Sequence, residues 1–164
     1  MNEQTFCDTA QAHRKLLYHV AYTNLRNDQA CEDAVQEALL KAWERRATLR
    51  KQEGFKYWLV RILSNTCHDM LRRHRRSEDT AIRLLDTQRD MDPNASDLIL
   101  NQALHDALGQ LPLDLRLPII LYYLEDFPVA EIARLQKRPE GTIRNRLHRA
   151  RQQLKTYLGE EEPI

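Results

Sequence analysis

Between Pro139 and Lys155 the chain reads P-E-G-T-I-R-N-R-L-H-R-A-R-Q-Q-L-K, with Ile143, Leu147, Ala150 and Leu154 spaced four, three and four apart. That period gathers the apolar residues into one stripe of a helix. The rest of the surface carries Thr142, Arg144, Asn145, Arg146, His148, Arg149, Arg151 and Gln152. These are donor-rich side chains of the kind that read base edges and phosphates. Just upstream, Pro128 to Leu135 is a shorter helical segment, set off by a turn's worth of residues. A short helix, a turn and a longer basic amphipathic helix make a helix-turn-helix with its recognition helix second. An ordinary solvated helix also tolerates Arg, a good helix former. Against that, Arg134 to Lys155 holds eight Lys and Arg and one acid, Glu140, which favours DNA as the partner.

The same helical period runs through the chain, and no segment has a strand period or an internal repeat. An all-α fold is expected. Helices are predicted at Thr9 to Leu25, Gln29 to about Arg46 with Asp28 as cap, and Lys56 to Arg76. The third carries Leu59, Ile62, Leu63, Thr66, Cys67, Met70 and Leu71 on its core stripe, and Arg61, Asn65, His68, Arg72 and Arg75 on another face. Its end, Arg72-Arg73-His74-Arg75-Arg76, holds more charge than a helix dipole calls for, and nucleic acid explains the surplus. Further helices are predicted from Asp97 to Leu108, capped by Ser96 and stopped by Gly109 and Pro112, and from Asp114 to Leu124 with a bend at Pro118.

The net charge of +1 conceals a division along the chain. Residues 1–76 carry 14 basic and 9 acidic groups, residues 77–97 carry 2 and 6, and residues 98–164 carry 9 and 9. Pro93 and Asn94 break any helix in the acidic stretch, so it reads as a linker between two small helical domains, 1–76 and 98–164. No apolar run approaches the roughly 20 residues of a membrane span, and Met-Asn-Glu-Gln-Thr lacks the pattern of a signal peptide, so a cytoplasmic protein is expected. Cys7, Cys31 and Cys67 are odd in number, far apart and without a C-x-x-C pair. Neither disulfides nor a metal is expected, and no cofactor.

Four stretches together resemble the extracytoplasmic-function (ECF) sigma factors, the smallest promoter-specificity subunits of bacterial RNA polymerase. They are Glu32-Asp-Ala-Val-Gln-Glu-Ala-Leu-Leu-Lys-Ala-Trp43, Phe55-Lys-Tyr-Trp-Leu-Val-Arg-Ile-Leu-Ser-Asn65, Leu111-Pro112 followed by Arg116, and Glu131-Ile-Ala133 with Gly141-Thr-Ile-Arg-Asn-Arg-Leu-His-Arg-Ala-Arg151. The resemblance spans nearly the whole chain. It implies a first domain, sigma region 2, that binds core polymerase through Asp33, Gln36, Glu37 and Leu40 and holds the −10 element through Lys51, Phe55, Tyr57, Trp58, Arg61 and Asn65. Stacking platforms and cations suit a single strand, although Phe55 and Trp58 also suit a core. It implies a second domain, sigma region 4, that reads the −35 element through Thr142, Arg144, Asn145, Arg146 and Arg149. An anti-sigma factor, often membrane-anchored, is the further partner implied, and no catalytic residue.

Two departures from the family stand out. Gln136-Lys137-Arg138 replaces a Leu-Gly-apolar turn, and Lys137 stands where Gly takes positive φ readily, so strain or a different turn shape is expected. Asp126-Phe127-Pro128 replaces Gly-x-Ser and looks harmless, since Asp tolerates a left-handed turn. Two rival readings are a stand-alone helix-turn-helix regulator and a hydrolase built on His68-Asp69 and His105-Asp106. The regulator has no use for the pattern in residues 8–76, and no ligand cluster supports the hydrolase. A third, a chain that only titrates a partner, is not separable by sequence.

The two elements of an ECF promoter lie about 25 base pairs, or ~85 Å, apart. A flexible linker of about 20 residues spans ~25 Å root-mean-square, against a fully extended limit of ~70 Å. The free protein is therefore expected to be too compact to hold both elements until polymerase stretches it. In gel-shift titrations at physiological salt, the protein alone should bind an intact promoter duplex weakly. Tight, sequence-specific binding there would contradict this.

Overall fold

The structure, a computed structural model, describes residues 1–76 and 102–159. Among these there are helices and turns and no strand, so the fold is all-α as expected. The chain forms two compact units, Met1–Asp90 and Met91–Ile164. Ser96, the start of the helix assigned to Asp97 and the linker acids Glu78, Asp79, Asp86, Asp90, Asp92 and Asp97 lie outside the described residues.

The first unit contains α1 (Glu3–Ala12), α2 (Arg14–Leu25), α3 (Asp28–Glu44) and α4 (Phe55–Arg76). The single helix predicted from Thr9 is thus two, and it starts earlier. Asn2 caps α1, its side chain accepting from the Thr5 N–H at 2.8 Å, and Phe6 and Ala10 give α1 a buried stripe. At His13 the backbone leaves the helical region and its N–H closes a tight turn on the Ala10 carbonyl at 3.1 Å. The cap of α3 is Asn27, whose side chain accepts from the Ala30 N–H at 2.8 Å, not Asp28. Asp28 sits instead in the first turn, where its charge favours the helix dipole.

Helices α2, α3 and α4 pack pairwise, and α1 rests on α2. Every residue of the predicted α4 core stripe is buried, Cys67 included, and burial pushes its thiol far above the ordinary range. The loop from α3 to α4 holds two short 3₁₀ turns, Arg46–Thr48 and Gln52–Gly54. Beneath it lies an aromatic cluster. Phe6 meets Trp43 edge-on at 5.3 Å and Phe55 at 5.8 Å, and Phe55 meets Trp58 at 5.7 Å.

The second unit contains α5 (Gln102–Gln110), α6 (Leu113–Leu124), α7 (Val129–Gln136) and α8 (Glu140–Leu158). Helix α5 ends at Gln110, between Gly109 and Pro112, and Pro118 lies within α6 without ending it. The Arg116 guanidinium donates twice to the Leu111 carbonyl, at 3.1 and 3.3 Å, and fastens the turn between α5 and α6. Helix α8 packs against α5, α6 and α7 through Ile143, Leu147, Ala150 and Leu154, all buried as their period requires. Asp126 takes the expected left-handed conformation (φ 59°), and the buried Phe127 donates its N–H to the Leu121 carbonyl at 2.9 Å.

Phe55 joins the aromatic cluster to the α4 core and is only 2% exposed. Truncating such a ring removes transfer energy and leaves a cavity, so Phe55→Ala should lose about 3–5 kcal/mol in urea unfolding of the first unit. A loss under 1 kcal/mol would mean that the cluster does not hold the loop.

Candidate nucleic-acid and partner interfaces

Asp33, Gln36, Glu37 and Leu40 fall at helical spacing on one face of α3. Asp33, Gln36 and Leu40 are exposed and Glu37 is half-buried. The Glu37 carboxylate meets Lys41 at 3.0 Å and Arg73 of α4 at 3.9 Å, so it also ties two helices together. Leu40 is 61% exposed, an apolar side chain set among polar ones. Beside this face is an open groove of about 310 Å³ whose lining includes Phe6, Cys7, Leu17, Tyr18, Gln36 and Leu39. Sequence reading missed it because Phe6 and Cys7 precede Thr9, where the first predicted helix began. The Phe6-to-Ala10 spacing was the available signal.

The six residues assigned to strand binding separate into two sets. Tyr57, Arg61 and Asn65 follow one another at intervals of four along α4, half-buried to exposed, and Lys51 is exposed in the preceding loop. Phe55 and Trp58 turn the other way. They fall on the same side of α4 as Leu59 and Ile62, at 2% and 7% exposure, so neither offers a face for stacking. This corrects the expectation for both. The Trp58 indole N–H donates to the Thr48 hydroxyl at 3.1 Å, and that hydroxyl donates to the Arg45 carbonyl at 2.7 Å. The two aromatics therefore brace the loop from behind. The loop presents Arg45, Arg46, Arg50 and Lys51 outward, and the Arg46 guanidinium lies 3.7 Å over the Trp43 ring.

In the second unit Arg144, Asn145 and Arg149 are exposed along α8, while Thr142 and Arg146 are half-buried. Arg144 pairs with Glu140 at 3.1 Å across one turn. Both partners are well exposed, so the pair is weakly held and readily exchanged for a phosphate. Arg146 donates to the Gln136 side-chain oxygen at 2.8 Å, which links the recognition helix to the turn before it. Arg151 donates to the Tyr123 hydroxyl at 2.9 Å and braces α8 on α6. His148 is exposed on the same helix. It stood among the donors of the sequence but not among the assigned contacts, and only the solved helix face brings it forward. Lys137 keeps the left-handed turn (φ 56°, ψ 48°), so the outcome is strain and not a new shape.

Among the described residues no group of three or more His, Cys, Asp and Glu is placed to hold a metal, and no helix is long and apolar enough to cross a membrane. The surfaces that remain are cationic and donor-rich, on two helical units, with one apolar-centred patch on α3. That is the make-up of a protein that grips DNA and a protein partner.

Comparison with known proteins fits this class. Residues 9–77 match sigma-70 region 2, and residues 101–154 match sigma-70 region 4. The RNA polymerase sigma factor SigV of Bacillus subtilis is 31% identical over 152 residues, covering 92% of this chain and 89% of SigV. The ECF RNA polymerase sigma factor SigM of Mycobacterium tuberculosis is 29% identical, covering 90% of this chain and 74% of SigM. Among solved structures, the Bartonella quintana sigma factor RpoE, crystallised with the anti-sigma factor NepR, has a TM-score of 0.83 at 25% identity, over 97% of this chain and 99% of that one. The chain belongs to the ECF sigma factors of the sigma-70 family.

The inward turn of Trp58 has a direct readout. In a Trp43→Phe background, Trp58 should emit at short wavelength and resist acrylamide quenching. Quenching at the level of a free indole would return Trp58 to the surface and to the strand-binding set.

Proposed function

We propose that this chain joins core RNA polymerase, directs it to promoters with matched −10 and −35 elements, and initiates transcription there. The observation that carries the proposal is the pairing in one chain of a basic helix-turn-helix with a second helical unit bearing the Tyr57-Arg61-Asn65 stripe. A stand-alone regulator has no need of the second surface. We assign residues 1–76 to region 2, 77–97 to the linker and 98–164 to region 4.

In this reading Asp33, Gln36, Glu37 and Leu40 meet the polymerase. An exposed Leu ringed by polar groups gains from desolvation by a partner, because its apolar surface leaves water while the polar groups around it form a wetter rim. Lys51, Tyr57, Arg61 and Asn65 hold the −10 strand, the ring stacking on a base and the cations following the backbone. Phe55 and Trp58 act one layer below, by fixing the loop. Thr142, Arg144, Asn145, Arg146 and Arg149 face the −35 element, where Asn donates and accepts at adenine and Arg donates to guanine. No bond-making falls to this chain; catalysis belongs to the core enzyme. Its RpoE relative was solved with an anti-sigma factor, which supports a cytoplasmic life governed by a similar inhibitor.

Run-off transcription with core polymerase on a promoter library tests the proposal. Added protein should select a small set of start sites sharing two elements about 25 base pairs apart. Asn145→Ala should then relax preference at one −35 position by ~1–3 kcal/mol while others hold. No gain in start-site selection over core enzyme alone would sink the proposal.

A further inference from the structure

Helix α2 carries no acidic side chain, and it borders the groove that it forms with α1 and α3. Phe6 and Ala10 of α1, Leu17 of α2, and Val35 and Leu39 of α3 floor this groove of about 310 Å³. It exists because α1 is short and rests on α2, so it covers the seam between α2 and α3 only in part. An apolar floor of this kind holds water poorly and gains from an apolar occupant.

The rim has a different make-up. Arg14 stands at the mouth with its guanidinium 5.6 Å over the Tyr18 ring, and Gln11 and Gln36 add exposed amides. No carboxylate lines the groove. Arg72, Arg134 and Arg144 each hold a carboxylate of their own helix, but among the described residues Arg14 has no ion pair. The acid nearest to it in sequence, Asp8, accepts from the Gln4 amide at 2.9 Å. A permanent cation beside a dry floor, with amide donors and no competing acid, complements a ligand with one anionic head and an apolar tail. A cationic head is repelled by Arg14. A neutral occupant that covered Arg14 would strip the guanidinium of water with little in return.

We propose that the groove binds a medium-chain carboxylate, with its tail along Phe6, Leu17 and Leu39 and its head on Arg14. The guanidinium fork matches the two oxygens of a carboxylate, and stacking on Tyr18 holds it at the mouth. About ten heavy atoms fill 310 Å³ at ~30 Å³ each, which is the size of octanoate. Longer tails run out into water. Gln36 belongs both to this rim and to the α3 face assigned to polymerase, so a bound head lies beside that face. The site stands apart from the promoter reading, and neither falls with the other.

Cys7 provides the test. It lines the groove and is exposed, while Cys31 and Cys67 are buried, so its reaction rate with the thiol reagent DTNB reports occupancy. On the full chain, octanoate should slow that reaction in a saturable way. From butanoate through hexanoate to octanoate, affinity should rise by up to about fourfold per added methylene, the transfer energy of a buried methylene expressed as a ratio. Dodecanoate should gain little more, because the groove is already full. Arg14→Gln, at an exposed position, should keep the melting temperature and the protection given by octanol, yet lose roughly two- to fivefold in affinity for octanoate. Failure of octanoate to protect Cys7 would overturn the site. So would a gain that continues unbroken to dodecanoate, the mark of partitioning onto any apolar surface, or equal octanoate affinity in Arg14→Gln. If core polymerase protects Cys7 and octanoate does not, the groove belongs to a protein interface and the ligand site is refuted.

Discussion

The two long helices α4 and α8 each have one apolar stripe to bury, and the burial of that stripe decides where their other side chains point. In α8, Ile143, Leu147, Ala150 and Leu154 go inward, so Arg144, Asn145, His148 and Arg149 have only the outside left to them. In α4 the same period buries Leu59, Leu63 and Cys67 and leaves Tyr57, Arg61 and Asn65 as a row toward solvent. A mutation on the buried side therefore acts on function indirectly, by rotating or loosening a face of fixed composition. The aromatic cluster under the loop of residues 45–54 is the extreme case. It touches nothing outside the protein, yet it decides whether the loop cations stand in one place or in many, and an ordered cation loses less entropy on meeting a phosphate.

The ion pairs on these faces have a complementary role. Arg144 with Glu140, Arg134 with Glu131 and Arg72 with Asp69 are all short-range pairs within one helix, and the arginine of each is well exposed. Such pairs add little to stability. Their use is to park a long side chain near its working position and to moderate the repulsion among neighbouring cations. A phosphate, with its higher charge and better fork geometry, displaces the carboxylate at small cost. Arg151 and Arg146 differ. Their partners, Tyr123 and Gln136, come from other elements, so these two arginines connect helices before they contact anything else.

Much of this was legible in the sequence because helical period is a strong signal over 15 residues or more. The α8 stripe, the α4 stripe and the all-α architecture follow from spacing alone. Where sequence reading went wrong, two physical rules competed for the same residue. Phe55 and Trp58 satisfy both a stacking role and a core role by composition, and only the position of Leu59 and Ile62 on the same side of the helix settles them inward. Asn27 and Asp28 are both good caps, and the choice depends on which backbone is extended, here Asn27 at φ −145° and ψ 126°. Helix α1 is short, and its two buried residues, Phe6 and Ala10, make too brief a period to stand out. The groove it forms with α2 and α3 is invisible without it.

Division into two modules carries its own energetic consequence. Neither a single helix-turn-helix nor a short strand-holding surface buries enough area to bind DNA tightly alone, and their avidity depends on the linker matching the distance between the two sites. A linker whose relaxed length falls well short of that distance gives a low effective concentration of the second module once the first is bound. In the proposed reading, a third body that holds the two modules at the promoter's spacing removes the entropic cost of separating them from the promoter-binding step. In that reading, the acidic composition of residues 77–97 suits a cationic surface on that body. Specificity in that reading resides in the assembly: two weak readers become one strong one when something holds them apart at the promoter's own spacing.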